Sequence, residues 1–103
     1  DIIVIEFPYS HLKEFKRRPV LILKIPKCED IIVLQITSSS YEKSVEIPIN
    51  KEDFSKGGLK RNSFTGLDKI ASIEKSLIKY KIGSLKQERF NEILDKLCFF
   101  LKN

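Results

Sequence analysis

The stretch KRRPVLIL at residues 16–23 decides the fold, because three cations stand directly before an apolar run that a proline opens. Proline fixes its own φ and keeps the preceding residue out of the helical region, so Arg18 must be extended. The β-branched and leucine residues that follow are typical of a buried strand. Arg18 is therefore held at the start of a strand. Its guanidinium group is planar, permanently charged and rich in N–H donors, which suits it to phosphate oxygens. The plainer interpretation is a solvated charge run at a strand edge.

Most of the remaining chain consists of short apolar runs that predict β-strands. The first three should form a meander, with a loop from Pro8 to Lys16 and a turn at residues 26–30 between them. So many short strands with few long polar gaps indicate a small closed barrel. The predicted strands are residues 1–7, 18–25, 31–37, 45–49, 63–67, 69–73 and 77–82.

Two further local signals qualify this strand pattern. Pro48 marks the strand at residues 45–49 as an edge strand, since proline cannot donate to a ladder. Residues 51–54 predict one helical turn that Gly57 and Gly58 end, and residues 38–40 predict a serine loop.

The C-terminal segment changes from strand to helical periodicity. Ser84 followed three residues later by Gln87 predicts a capping box that starts a helix. An apolar face follows at helical spacing and must be buried on the barrel or on a second subunit. Phe99 and Phe100 widen this face enough to serve both. The face consists of Phe90, Ile93, Leu94, Leu97, Cys98 and Leu101.

Composition bounds the class of protein. At 103 residues the chain predicts a single domain over residues 1–103, near the size at which dimerisation helps stability. Its net charge of +5 suits a polyanionic partner. Cys28 and Cys98 are far apart with no secretory sequence before them, so we expect reduced thiols and a cytoplasmic protein. One histidine and no close cysteine pair argue against structural zinc, and no run is long enough to cross a membrane.

Several short motifs follow one another in a specific order along almost the whole chain. Together, in this order and spacing, they resemble the MazF/PemK family of type II toxins. The motifs are RP at residues 18–19, ITS at 36–38, GGLKRNSFTGLDKI at 57–70, IEK at 73–75, and the opening segments DIIV at 1–4 and FPYS at 7–10.

The resemblance implies a mainly β fold with a C-terminal helix, a small SH3-like barrel of the MazF/PemK/CcdB toxin type. It also implies a homodimer that cuts single-stranded RNA without metal or cofactor, and that a cognate acidic antitoxin neutralises. Arg18 matches the family's catalytic arginine, Thr37 its catalytic threonine, and Asp68 an aspartate that one branch uses as a base. That branch places an arginine where this chain has Gly66. His11 and Asn62 stand where acidic residues are common.

Other residues are candidates for contacts with RNA rather than for catalysis. Lys16, Arg17, Lys60 and Arg61 fit the RNA backbone, although surface solvation is the default for each. His11 has an imidazole suited to proton transfer, or it is simply an exposed loop residue. The predicted RNA contacts are Ser10, His11, Lys16, Arg17, Ser38, Lys60 and Arg61.

Each predicted catalytic residue has an alternative. Thr37 fits a turn at a strand end as well as a catalytic hydroxyl, and Asp68 fits a turn aspartate paired with Lys69 as well as a base. For the whole protein, the predicted function is a sequence-specific endoribonuclease toxin that leaves 2′,3′-cyclic phosphate and 5′-hydroxyl ends. The alternatives are a toxin of the same fold that poisons a protein such as gyrase, and a degenerate member that only binds RNA or antitoxin.

Overall fold

One antiparallel sheet dominates the computed structural model, which describes residues 2–8, 15–27 and 29–103. The order of its strands is β4-β6-β3-β2-β1-β7-β5, and the sheet curls into a half-barrel. This confirms the predicted mainly β fold with a C-terminal helix. Within the described residues the sheet does not close, because β4 and β5 remain as its edges, so the predicted closed barrel is wrong. The elements are β1 (Ile2–Pro8), β2 (Phe15–Lys24), β3 (Asp30–Thr37), β4 (Glu46–Ile49), β5 (Phe54–Gly57), β6 (Ser63–Glu74), β7 (Ile78–Leu85) and α1 (Gln87–Lys102), with 3₁₀ turns at Lys51–Asp53 and Lys75–Leu77.

The predicted meander is confirmed, since β1 pairs with β2 and β2 with β3, both antiparallel. The strand β2 begins at Phe15, earlier than predicted, because the residues before Arg18 pair with β1 as far as Pro8. Pro48 lies on β4, which is an edge strand as expected.

The predicted separate strands at residues 63–67 and 69–73 are wrong, because β6 runs unbroken from Ser63 to Glu74. Its pairing with β3 shifts sharply: Leu34 pairs with Ile70, whereas Ile36 pairs with Thr65. Residues 66–69 of β6 therefore lie opposite Gln35 alone and form a large bulge. Bulges of this kind bend a strand and redirect its side chains.

A second correction concerns the segment after the 3₁₀ turn. The helical turn at Lys51–Asp53 is present, but Gly57 does not end it. Instead Phe54–Gly57 forms β5, which pairs with β7 at the sheet edge. That pairing also holds Ser84 in β7, opposite Lys56.

The predicted capping box at Ser84 is consequently wrong. The N-cap of α1 is Lys86, and it makes no side-chain capping hydrogen bond. The buried stripe of α1 is also narrower than predicted: Ile93 and Leu97 are buried, but Cys98 is an exposed free thiol and Leu101 is 61% exposed. Phe100 contacts the core in place of Leu101.

Two apolar clusters stabilise the sheet. The larger cluster brings Ile93 and Leu97 of α1 against the sheet, with Leu21 and Leu34 from its centre. The smaller cluster contains Val20 of β2 with Ile31 and Val33 of β3, on the opposite face of the sheet. Because side chains alternate along a strand, Arg18 lies on the same face of β2 as Val20, the face of the smaller cluster.

Arg89 ties the first turn of α1 to the edge of the sheet. Its Nη2 donates to the carbonyl oxygen of Pro48 at 2.7 Å, and its Nε lies 3.4 Å from the Asp53 carboxylate. The arginine side chain is only 16% exposed, so this ion pair is shielded from water. Proline donates nothing to the ladder, and Arg89 secures the strand through the proline's carbonyl instead.

Gly57 fixes the start of the loop at residues 58–62. It has a φ of +65°, and an added Cβ would overlap the Ile82 carbonyl oxygen and lie 2.7 Å from the Gly83 Cα. Both obstacles are backbone atoms that cannot rotate away. Gly58, by contrast, has open space where a Cβ would lie.

We therefore expect Gly57→Ala to lower the free energy of unfolding by about 1–3 kcal/mol through strain and overlap. Gly58→Ala is the matched control and should leave stability unchanged or raise it by up to about 1 kcal/mol. Urea unfolding followed by circular dichroism measures both values. Equal midpoints for the two variants would contradict this account.

Candidate functional site

Two adjoining cavities lie at the ends of β2 and β3, and Arg18 and Thr37 line both of them. Val20 pairs with Gln35, so two residues further along these antiparallel strands Arg18 comes level with Thr37. The register of the meander thus brings together the two residues that the sequence predicts as catalytic. They form the boundary between the cavities.

The first cavity has a volume of about 300 Å³ and is strongly basic. Arg17 and Arg18 approach from β2, and Lys60 and Arg61 from the loop after β5. Ser63 secures that loop, since its buried hydroxyl donates to the Arg61 carbonyl oxygen at 3.0 Å. Within the described residues no carboxylate lines this cavity, so its chemistry suits a phosphate or another anion.

Thr37 combines the two roles considered for it. Its hydroxyl oxygen accepts a hydrogen bond from the Ser39 backbone N–H at 3.2 Å, which is the turn geometry expected at a strand end. A hydroxyl has a second lone pair and one donor hydrogen. The turn therefore orients the Thr37 oxygen and leaves its O–H able to donate into the cavities.

The second cavity, of about 220 Å³, is less basic and has an aromatic wall. Besides Arg18 and Thr37 it is lined by Gln35, Ile36, Ser39, Tyr41, Gly66 and Lys69. Gly66 and Lys69 belong to the β6 bulge, and Gln35 is the single β3 residue opposite that bulge. The irregular register therefore builds this cavity.

Asp68 does not line either cavity. Its Oδ1 accepts a hydrogen bond from the Tyr41 hydroxyl at 2.7 Å, and its Oδ2 lies 3.7 Å from Lys69 Nζ. The Tyr41 hydrogen bond is the main reason that the pKa of Asp68 is lowered. Desolvation, together with the same hydrogen bond, raises the pKa of Tyr41, so the phenol stays protonated.

Glu46 organises the loop that carries Tyr41. Its carboxylate accepts hydrogen bonds from the Ser40 hydroxyl, from the Tyr41 N–H at 3.0 Å and from the Glu42 N–H at 3.3 Å. The Ser40 hydrogen bond contributes most to lowering the pKa of Glu46, followed by the Tyr41 N–H. The Glu46 carboxylate thus holds the start of this loop against β4.

The structure brings together most of the predicted site residues that it describes. Arg17, Arg18, Thr37, Ser38, Lys60 and Arg61 all line the basic cavity. Ser10 and His11 lie outside the described residues, and only the backbone of Lys16 is described, in β2.

Sequence reasoning missed several residues that line the cavities. Tyr41 is 27 residues from Asp68 in sequence, and no motif links the two. The one available signal was Gly66 itself, because a glycine within a strand often marks a bulge or a close approach. The other missed residues are Gln35, Ser39, Leu59, Ser63 and Lys69.

The sequence matches the family model of the PemK-like, MazF-like toxin of type II toxin–antitoxin systems over residues 1–101. The chain belongs to this family. A comparison with curated proteins finds no match.

Solved structures of toxins share this fold. Mycobacterium tuberculosis toxin MazF-mt6 superposes with a TM-score of 0.68 at 21% identity, over 92% of this chain and 91% of that one. An endoribonuclease in complex with its cognate antitoxin, from Mycobacterial species, has a TM-score of 0.72 at 14% identity, over 97% and 91% of the two chains. An Mtb toxin has a TM-score of 0.63 at 25% identity, over 78% and 87%.

Two further observations concern the part of this toxin-family chain that the structure describes. It contains no helix long and apolar enough to cross a membrane. It also contains no group of three or more His, Cys, Asp or Glu side chains placed to hold a metal ion.

The Glu46 carboxylate should titrate below its ordinary pKa, and Ser40→Ala should raise that pKa toward the ordinary value by removing the main hydrogen bond. Because the folded pKa is lowered, Glu46 stabilises the fold above its unfolded pKa, and this contribution is lost as pH falls through the folded pKa. Carboxyl-detected NMR titration measures the shift.

Ser55→Ala is the control for this titration, since the Ser55 hydroxyl donates to the Ser84 carbonyl oxygen and does not contact Glu46. An unchanged Glu46 titration in Ser40→Ala would show that the Ser40 hydroxyl is not the main group that lowers the pKa of Glu46.

Proposed function

We propose that this chain is the toxin of a type II toxin–antitoxin system and a metal-independent endoribonuclease that cleaves single-stranded RNA at specific sequences. The observation that carries the proposal is the placement of Arg18 and Thr37 side by side at a cavity with three more cations. Membership of the MazF/PemK toxin family supports the same activity. A toxin that only poisons a protein target has no need of such an anion site.

The proposed reaction uses the substrate's own 2′-hydroxyl. The 2′-oxygen attacks phosphorus, the bond from phosphorus to the 5′-oxygen breaks, and a 2′,3′-cyclic phosphate and a 5′-hydroxyl result. A base must accept the 2′-proton and a donor must protonate the departing 5′-oxygen. Arg18 stabilises the negative charge that develops on the phosphorane oxygens, a role suited to its fork of donors.

Thr37 completes the phosphate site. Its hydroxyl is oriented by the Ser39 N–H and donates its hydrogen to a phosphate oxygen. Arg17, Lys60 and Arg61 hold the neighbouring phosphates, and Ser38 lies at the same rim. Ser10, His11 and Lys16 remain predicted RNA contacts, and the base role of Asp68 or His11 remains a prediction.

The positive charge of the Arg18 cavity also suits an acidic antitoxin as a partner. An acidic antitoxin segment that covers the Arg18 cavity would compete with RNA, because both are polyanions attracted by the same cations. One structural neighbour is an endoribonuclease in complex with its cognate antitoxin, which supports this assignment. A toxin of this kind acts on RNA in the cytoplasm.

We further propose that the chain works as a homodimer. Phe99 on α1 is 71% exposed and Leu101 is 61% exposed. Phe99 and Phe100 also line an apolar groove of about 650 Å³ between α1 and the β4 edge. A twofold contact through α1 and that edge would cover these side chains.

Arg18→Lys should lower the cleavage rate at least about 100-fold while the fold remains intact, because lysine keeps the charge but loses the bidentate fork. Thr37→Val should cause a similar loss, since it removes the hydroxyl at nearly constant volume. The assay incubates a mixed RNA with the protein in EDTA and sequences the ends.

Lys24→Arg, a conservative exchange at the opposite end of β2, is the control and should cut normally. If Arg18→Lys cleaves RNA at nearly the wild-type rate, Arg18 does not stabilise the charge on the phosphorane. RNA left intact by the wild-type protein would favour a toxin that acts on a protein target.

The dimer is tested by sedimentation velocity at micromolar concentration. Phe99→Ser should shift the wild-type dimer toward monomer by removing buried apolar area. Ile25→Ser is the control, because Ile25 is also exposed, at 60%, but lies beyond the end of β2. A wild-type protein that sediments as a monomer and is fully active would overturn the dimer.

A further inference from the structure

Tyr41 is an exposed aromatic residue that is nevertheless held at both ends. Its ring is 42% exposed. Its hydroxyl donates to Asp68 Oδ1 at 2.7 Å, and its backbone N–H donates to Glu46 at 3.0 Å. Lys69 Nζ lies 5.2 Å from the ring centroid, within the range of a cation–π contact. An aromatic ring fixed in this way offers a rigid surface for another planar group.

Gly66 is what allows the Tyr41 ring to lie there. A Cβ at this position would overlap the Tyr41 hydroxyl oxygen, and it would lie 2.8 Å from Lys69 Cγ and 2.9 Å from Asp68 Oδ1. Any side chain at residue 66 would therefore displace the ring or its hydrogen bond. The tyrosine side chain occupies the volume that the missing side chain leaves in the β6 bulge.

The cavity beside Tyr41 has the chemistry of a base-binding pocket. Tyr41, Gln35 and Ser39 line this volume of about 220 Å³, so an aromatic residue stands there beside residues that carry an amide and a hydroxyl. Unpaired bases of RNA are recognised by stacking on aromatic side chains and by hydrogen bonds to their edges. Arg18 and Thr37 line this cavity as well as the basic one, so a base here would belong to a nucleotide adjoining the phosphate bound there.

The contacts of Asp68 indicate a role through Tyr41 rather than on the substrate. Its carboxylate faces Tyr41 and Lys69 and lines neither cavity. The hydrogen bond from Tyr41 lowers the pKa of Asp68, which makes the carboxylate a weaker base.

We propose that the Tyr41 cavity is a subsite for one unpaired nucleobase of the RNA, and that Asp68 is a positioning residue that fixes Tyr41 as its wall. The inference rests on the RNA cleavage proposed above and names where the substrate's sequence is read. Tyr41 and Gly66 act on base binding, whereas Arg18 and Thr37 act on the phosphate.

Two variants remove the wall by different routes. Tyr41→Leu deletes the ring, and Gly66→Ala displaces it. Each should raise KM about 5- to 150-fold, the range for loss of one base–aromatic stack, with kcat little changed. Each should also broaden the base found at one position next to the cut. Tyr80→Leu, at another exposed tyrosine, and Gly58→Ala, where a Cβ meets open space, are the matched controls.

Asp68 is tested by two substitutions, one that keeps a hydrogen-bond acceptor and one that removes it. The Asp68→Asn side chain can still accept the Tyr41 hydrogen bond but cannot act as a base, whereas the Asp68→Ala side chain can do neither. Asp68→Asn should therefore keep most of the activity and an unchanged profile of kcat against pH, and Asp68→Ala should raise KM as Tyr41→Leu does. An Asp68→Asn protein with kcat abolished and the acidic limb of its pH profile lost would make Asp68 the base and overturn the positioning role.

A binding experiment separates this inference from the proposed activity. The chain has three tyrosines, so tyrosine-labelled protein gives few ring signals, and Tyr41→Phe assigns those of Tyr41. Stacking of a 2′-O-methyl RNA, which lacks the attacking hydroxyl, should shift the Tyr41 ring protons upfield, whereas ribose 5-phosphate, which has no base, should not. A shift of the Tyr41 ring signals without any RNA cleavage would contradict the proposed activity and support the subsite. RNA cleavage with no shift of the Tyr41 ring signals, and with an unchanged KM in Tyr41→Leu, would contradict the subsite and support the activity.

Discussion

The site depends on one interruption of the β3–β6 ladder, where residues 66–69 of β6 face only Gln35. Three unmatched residues cannot remain in a flat ladder, so the strand bulges and exposes groups that regular pairing would cover. Thr65 limits the cost, because its fully buried hydroxyl donates to the Gln35 carbonyl oxygen at 3.1 Å. This hydrogen bond satisfies the Gln35 carbonyl at the point where the ladder is interrupted.

The bulge determines the surrounding loop as well as the cavity. The Leu67 N–H donates to the Val45 carbonyl oxygen at 2.7 Å, which ties the end of the loop after β3 to the bulge. Glu46 holds the middle of the same loop through Ser40 and Tyr41. Tyr41 is thus positioned from its backbone by one carboxylate and from its hydroxyl by another, Asp68. Glu46 and Asp68 line neither cavity, but by fixing Tyr41 they determine the shape of the second one.

The sequence predicted what depends on local pattern and missed what depends on register. The Arg-Pro step and the alternation of β2 and β3 are local, so the meander and the placement of Arg18 and Thr37 at the same cavities followed from them. The bulge arises from how two distant strands align, and within residues 63–74 only Gly66 indicates one bulged strand rather than two short ones. Ser84 shows the same limit, since its capping pattern is overridden by pairing with Lys56 of β5, a strand whose local sequence suggested the end of a helical turn.

Folding concentrates four cations at the basic cavity. Arg17 and Arg18 reach the basic cavity from β2, and Lys60 and Arg61 reach it from a loop about forty residues later, so folding brings together charges that are apart in the unfolded chain. Like charges held close destabilise the folded state, and salt screens them only where water reaches them. The rigid anchors on either side of that loop, Gly57 and Ser63, restrict how far the cations can separate. Binding of a polyanion relieves this repulsion and so stabilises the folded state by mass action. Under the proposed function, RNA phosphates and an acidic peptide would both gain free energy from these cations, so the two would compete for one basic cavity.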